Sequence, residues 1–118
     1  MRARRWAATI AAGAALTTGV SMTSAASAAA VSCTSPATRN ADEGSGVLKG
    51  TYGLKVAPYA SCGTVTTMFE GDVLYFHCWY ENAYGNDWAF GRIKGTNIHG
   101  WMSEANFSSY STDLWPSC

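Results

Sequence analysis

Charge is scarce in this chain. Asp, Glu, Lys and Arg make up 14% of 118 residues, proline occurs three times and histidine twice. The basic side chains are also unevenly spread. Arg2, Arg4 and Arg5 sit at the start, so everything after residue 30 holds only Arg39, Lys49, Lys55, Arg92 and Lys94 against eight carboxylates, about −3 by counting. No basic stripe is left to neutralise phosphates, which disfavours nucleic acid and polybasic docking to a membrane as partners. Two histidines with no carboxylate at ligand spacing give no reason to expect a metal site. His77 and Cys78 are neighbours, so on a strand they point to opposite faces and cannot chelate one ion. A Gly-x-Ser-x-Gly elbow is missing, and Glu70 and Asp72 around Gly71 read as solvated turn formers, not as an acid/base pair. No enzyme and no cofactor are expected.

Long apolar runs are also missing, except one. Trp6 to Val20 is uncharged and mostly apolar, follows the three arginines, and precedes small residues at Ala26-Ser27-Ala28 and Ala28-Ala29-Ala30. Residues 1–30 therefore read as a cleavable secretory signal, with the secreted form beginning at Ala29 or Val31. The run is diluted by Thr9, Gly13, Thr17, Thr18 and Gly19 and falls short of the roughly 20 residues a bilayer span needs, so a mature chain without a membrane span is expected.

What remains, about 88 residues, is small enough that a hydrophobic core alone is marginal. Cysteine compensates. Cys33, Cys62, Cys78 and Cys118 all follow the signal, and an even number in a short exported chain reads as two disulfides. Three pairings are open from the sequence. Cys62 with Cys78 and Cys33 with Cys118 is favoured, because the first pair lies inside the patterned region and the second at the chain ends.

Residues 31–46 are polar and without apolar periodicity, an extended arm anchored by Cys33. Residues 47–110 alternate as strands do. Gly53 to Ala57 is the first, Thr64 to Phe69 the second, and the Glu70-Gly71-Asp72 turn leads into Val73 to Tyr80, the strongest. There Leu74, Phe76 and Cys78 are assigned to the core, and Val73, Tyr75, His77 and Trp79 to the outside. Trp88 to Lys94 and Ile98 to Met102 follow, and residues 111–118 form a tail carrying Cys118. The fold class is all-β, a small disulfide-stapled barrel or rolled sheet of about five short antiparallel strands.

The order of motifs resembles the bacterial SH3-like (Src-homology-3-like) domain over about Gly53 to Phe107. Leu54, Val56 and Pro58 match its opening, Gly71-Asp72 its turn, Val73 to Phe76 its hydrophobic strand, Asp87-Trp88 the next, and Gly100-Trp101-Met102 with Asn106-Phe107 its end. Ala57 stands where the family usually carries arginine. Ser103 and Phe107 replace the proline and tyrosine of the polyproline pocket of eukaryotic relatives, so polyproline is not the implied ligand. Similarity to exported actinobacterial members implies the Cys62 to Cys78 bridge. The family commonly binds cell-wall peptides or targets an accompanying enzyme.

Aromatic residues are abundant where charge is not. Beyond Trp6, four tryptophans and six tyrosines must be placed in a core too small for all of them. Exposed rings interrupted by polar residues make recognition surfaces. Tyr59, Trp79, Tyr80 and Tyr84 lie in or beside two loops that the SH3-like fold sets around its ligand groove, and are the expected ligand-binding face. The reading is a secreted non-enzymatic binding module, extracellular or cell-wall associated, that recognises a peptidoglycan peptide or an extracellular protein. A secreted small inhibitor or antagonistic toxin is the alternative.

Overall fold

The computed structural model describes residues 31–118, so the expected signal sequence and cleavage site fall outside the described residues. Seven strands form one antiparallel sheet: β1 (Ser45–Leu48), β2 (Tyr52–Lys55), β3 (Thr64–Met68), β4 (Val73–Glu81), β5 (Asp87–Ile93), β6 (His99–Ser103) and β7 (Phe107–Ser111). The spatial order is β3-β2-β6-β5-β4-β1-β7. The class is all-β as expected. The strand count is higher than about five, and the sheet ends in two edge strands instead of closing. Each strand gives at least one residue to a single apolar cluster, from Met68 on one edge to Phe107 on the other. Both edges can share one core only if the sheet curls around it.

The turns follow local chemistry. Gly71 has φ +88°, a left-handed value suited to glycine, and Asp72 closes the same turn by accepting the Phe69 amide at 2.8 Å. β6 passes into β7 through one 3-10 turn, Glu104–Asn106, capped by the Ser103 hydroxyl. Across that corner the Tyr110 hydroxyl donates to Glu104 at 2.6 Å. This hydrogen bond, with burial and the negative charge nearby, pushes the Tyr110 phenol up to about 12.

β4 departs from strict alternation at one place. Phe76 pairs with Gly91 and Cys78 with Phe90, so His77 is an extra residue in the ladder, a β-bulge. Gly91 lets the strands approach there, since a Cβ at that position would stand 2.2 Å from the Tyr75 carbonyl oxygen. A one-residue slip exchanges the faces of everything downstream. Leu74 and Phe76 are in the core as expected, but Trp79 then joins them, 4% exposed and 4.8 Å from Phe76, beside Ala89. Cys78 is buried on the opposite face, paired with Phe90. Trp79, expected outside, is therefore inside, while Cys78 is buried as expected but on the face opposite the main cluster.

β4 is nine residues long and its neighbour β1 only four. Buried backbone groups need partners, and the chain ends supply them where β1 stops. The Phe76 amide donates to the Gly44 carbonyl, and the Ala41 and Asp42 amides donate to the carbonyl of the bulged His77. Further along, the Trp79 amide donates to Pro116 and its carbonyl accepts from Cys118. The arm is thus tied down well before β1, and the tail acts as a short parallel extension of the sheet at Trp79 and Ser117.

The disulfides differ from the favoured pairing. Cys33 bonds Cys62, and Cys78 bonds Cys118. The reason is the bulge: with Cys78 on the outer face beside the tail, Cys118 is the thiol within reach, its Cα 4.8 Å away. Cys62, in the β2–β3 loop, is left for the arm. On chain-entropy arithmetic loops of 29 and 40 residues are each worth about 3.5–4 kcal/mol.

Arm, core and tail meet at Asp42, a carboxylate only 3% exposed. It accepts from the Trp79 indole at 2.9 Å, the Thr112 hydroxyl, and the amides of Gly44 at 2.8 Å and Asp113 at 3.0 Å. Burial pushes its pKa up, but these four donors together outweigh it and hold the carboxyl below its usual value.

Two tests follow from these contacts. Non-reducing peptide mapping should recover Cys33–Cys62 and Cys78–Cys118, and replacing the second pair by alanine should cost roughly 2–5 kcal/mol. Asp42→Asn puts a donor among donors and should cost roughly 2–4 kcal/mol in denaturant unfolding at neutral pH. A carboxyl lowered by folding stabilises above its unfolded pKa of about 3.9 and loses that contribution as pH falls through its folded value. The wild type should therefore weaken below about pH 4, with the gap to Asp42→Asn narrowing. A pH-independent gap would remove the carboxylate from this role.

Candidate functional site

The four aromatic residues expected to form one face divide in the structure. Tyr59 and Tyr84 come together, edge to face at 5.8 Å, although they are far apart in sequence. Tyr59 is largely buried, and Tyr84 is 60% exposed. Tyr80 is 37% exposed and lies on the outer face of β4, its ring 6.0 Å from Trp101. Trp79 belongs to the core. The bulge that carries it inward is invisible to period-2 reading.

Asn82 builds the loop between β4 and β5. It is buried; its side-chain amide donates to the Pro58 carbonyl at 2.8 Å, and its oxygen accepts the amides of Tyr84 at 3.0 Å and Asn86 at 3.1 Å. The Ala83 amide donates to the Tyr59 hydroxyl at 3.1 Å. Two loops, residues 57–62 and 82–86, are therefore cross-linked by hydrogen bonds, and the Cys33–Cys62 bridge holds one of them to the arm. The Asn-x-x-Gly-Asn string has the composition of a hairpin loop, but nothing in it announces the bond from Asn82 to Pro58.

Behind Tyr80 an aromatic ladder crosses the outer face. Trp101 stands 5.3 Å from Phe90, and Phe90 stands 5.9 Å from His99. Trp101 is fully buried although it lies outside the main core, because the arm crosses it, and its indole donates to the Ser35 hydroxyl at 3.0 Å. Trp88, paired across the strands with Tyr80 and Ser103, is also buried. Its indole nitrogen is the one buried side-chain polar atom without a hydrogen-bond partner among the described residues. An unmet donor of this kind costs about 1–3 kcal/mol.

Further along the same face an open groove of about 290 Å³ is lined by Asn40, Glu43, Tyr75, His77 and Arg92, among others. The Arg92 guanidinium lies 5.1 Å above the centre of the Tyr75 ring and donates to the Thr96 carbonyl at 3.0 Å. Burial, with His99 and Arg92 nearby, lowers the His77 pKa. The imidazole is neutral at physiological pH.

The tail supplies a second exposed feature that sequence reasoning missed. Leu114 and Trp115 both have left-handed φ, 62° and 55°. This is costly for residues with side chains, by about 1–2 kcal/mol each. In exchange the Trp115 ring is seated 4.4 Å from Trp79 and 5.5 Å from Tyr110. Leu114 is left 93% exposed.

The division of the four rings predicts a division of mutational effects. Trp79→Ala removes a core ring and the donor to Asp42, and should cost roughly 3–5 kcal/mol, comparable to Phe76→Ala. Tyr84→Ala should cost under about 1 kcal/mol. Thermal unfolding of the three variants checks this, and a mild Trp79→Ala would put that ring back on the surface. Among protein-family models, curated proteins and solved structures, nothing matches this chain.

Proposed function

We propose that the chain is an exported, non-enzymatic recognition module of the bacterial SH3-like type, and that its ligand face is the pair of cross-linked loops carrying Tyr59 and Tyr84, continued by Tyr80. The observation that carries this reading is Tyr84. A large ring is held over Tyr59 in solvent by a loop whose geometry Asn82 fixes through three hydrogen bonds. A rigid exposed aromatic loses little conformational entropy on binding, which makes it an anchor. The groups gathered there are phenols and an amide, suited to stacking and hydrogen bonding with a peptide. The uncompensated Trp88 donor, one strand from Tyr80, adds to the same face a local cost of the kind folds retain at binding sites. The SH3-like reading draws further support from the single 3-10 turn joining Gly100-Trp101-Met102 to the buried Phe107. Two disulfides and the lack, among the described residues, of any helix long and apolar enough to cross a membrane agree with export. The ligand is a peptidoglycan peptide or an extracellular protein.

Leu114 favours a second reading, a secreted inhibitor or antagonistic toxin. A strained, fully exposed leucine between the Asp42 contacts and the Cys118 bridge is a knob suited to an apolar pocket on a target protein.

Retention on purified peptidoglycan, with the soluble fraction as control, separates the two. Tyr84→Ala should weaken retention about 5- to 30-fold, the 1–2 kcal/mol of an interface anchor, while Leu114→Asp leaves it unchanged. Retention indifferent to both Tyr84→Ala and Tyr80→Ala rejects the proposed face. A protein wholly in the soluble fraction, whose capture of an extracellular partner is lost in Leu114→Asp, favours the inhibitor.

A further inference from the structure

His77 and His99 are the only histidines in the chain and come from strands that are not neighbours, β4 and β6, with β5 between them. Their rings nevertheless stand 5.2 Å apart, at 67°. Phe90, on the intervening strand, lies 5.7 Å from His77 and 5.9 Å from His99, and its ring is nearly parallel to that of His99. His77 is the bulged residue. Bulges re-aim side chains, and this one is fixed by two amides, those of Ala41 and Asp42, donating to its carbonyl.

We propose that His77 and His99 form a two-imidazole site for a borderline divalent transition ion such as Cu²⁺ or Zn²⁺. The separation of the ring centres, 5.2 Å, is compatible with such a site. An imidazole nitrogen binds zinc at about 2.0–2.1 Å, which sets the ring centre about 3.2 Å from the ion, and two rings at a tetrahedral angle are then about 5.2 Å apart. The second shell is partly in place: His99 Nδ1 lies 2.9 Å from the Asn97 carbonyl oxygen, an arrangement that puts the proton on Nδ1 and leaves Nε2 as the ligand atom. The His77 ring makes no hydrogen bond among the described residues, so binding an ion displaces no internal partner. Arg92 is the nearby positive charge; its guanidinium is held by the Thr96 carbonyl and the Tyr75 face but keeps its charge, which opposes a cation beside His77, so the two nitrogens must outweigh it. Imidazole nitrogen selects copper, zinc and nickel over calcium and magnesium. With two protein ligands the remaining positions are open to water or to a carboxylate of a bound molecule.

The experiment is titration of the full secreted chain with Cu²⁺ alone and Zn²⁺ alone, followed by calorimetry, with paramagnetic resonance of the copper complex. One ion per chain and coupling to two nitrogens are expected. His77→Phe and His99→Phe keep the ring contacts with Phe90 and remove the ligand atoms; each should lower affinity about tenfold or more with unchanged thermal unfolding. No saturable binding, coupling to one nitrogen, or affinity unaltered in the double variant would each overturn the site. If either single variant unfolds, His77→Gln and His99→Gln take its place and are read by the same criteria.

Discussion

One buried carboxylate holds the two chain ends to the sheet. Asp42 lies in the arm, yet its donors come from the middle of β4, from Thr112 and Asp113 in the tail, and from its own turn at Gly44. An isolated buried carboxylate would cost several kcal/mol in desolvation, so it persists only because all its partners are present together. Its cost is therefore a condition on the geometry. If the arm is displaced, the Trp79 indole loses its acceptor; if the tail is displaced, the carboxylate loses two of its four donors. The disulfides act on the same two segments, Cys33 upstream of Asp42 and Cys118 downstream of Asp113. Covalent and polar restraints thus do for this small domain what a larger core does elsewhere.

The strands were legible where alternation is strict and turn residues bound it. Val73 to Tyr80, Thr64 to Phe69 and Trp88 to Lys94 were expected as strands, and β4, β3 and β5 occupy those positions within one residue at each end. β1 was hidden. Ser45-Gly46-Val47-Leu48 carries little β-propensity, and its strand state comes from pairing on both sides, with β4 and β7. The bulge was hidden for a different reason: a single inserted residue has no compositional mark, and its partner Gly91 is informative only once the register is known. That one slip turns Trp79 to the inner face and sets Cys78 beside Cys118.

At the candidate site, composition points to aromatic residues and to only part of their arrangement. Tyr59 and Tyr84 could be assigned to loops from their Gly, Pro and Asn neighbours, and they meet. That they meet depends on Asn82, a buried amide in a sequence context where asparagine ordinarily forms solvated turns. Asp42 was obscured in the same way, as one acidic residue in a polar stretch without periodicity. In both cases the decisive partner is more than 20 residues away, beyond the range of any local pattern.

The outer face shows how these restraints bear on recognition. Tyr80, Trp101, Phe90, His99 and His77 follow one another across β4, β5 and β6 with ring separations of 5.2 to 6.0 Å. Without a covering segment such a face would be wetted and its rings free to change rotamer. Here the arm crosses at Ser35 and is fixed again at Ala41 and Asp42, so that Trp101 is dry while Tyr80 and His99 remain exposed. A ligand or ion bound at either end, as proposed, would meet rings whose neighbours are already immobilised, leaving less ordering for binding to supply. The polar arm, the least structured segment by composition, is what turns the outer face of the sheet from a second wetted surface into a supported one.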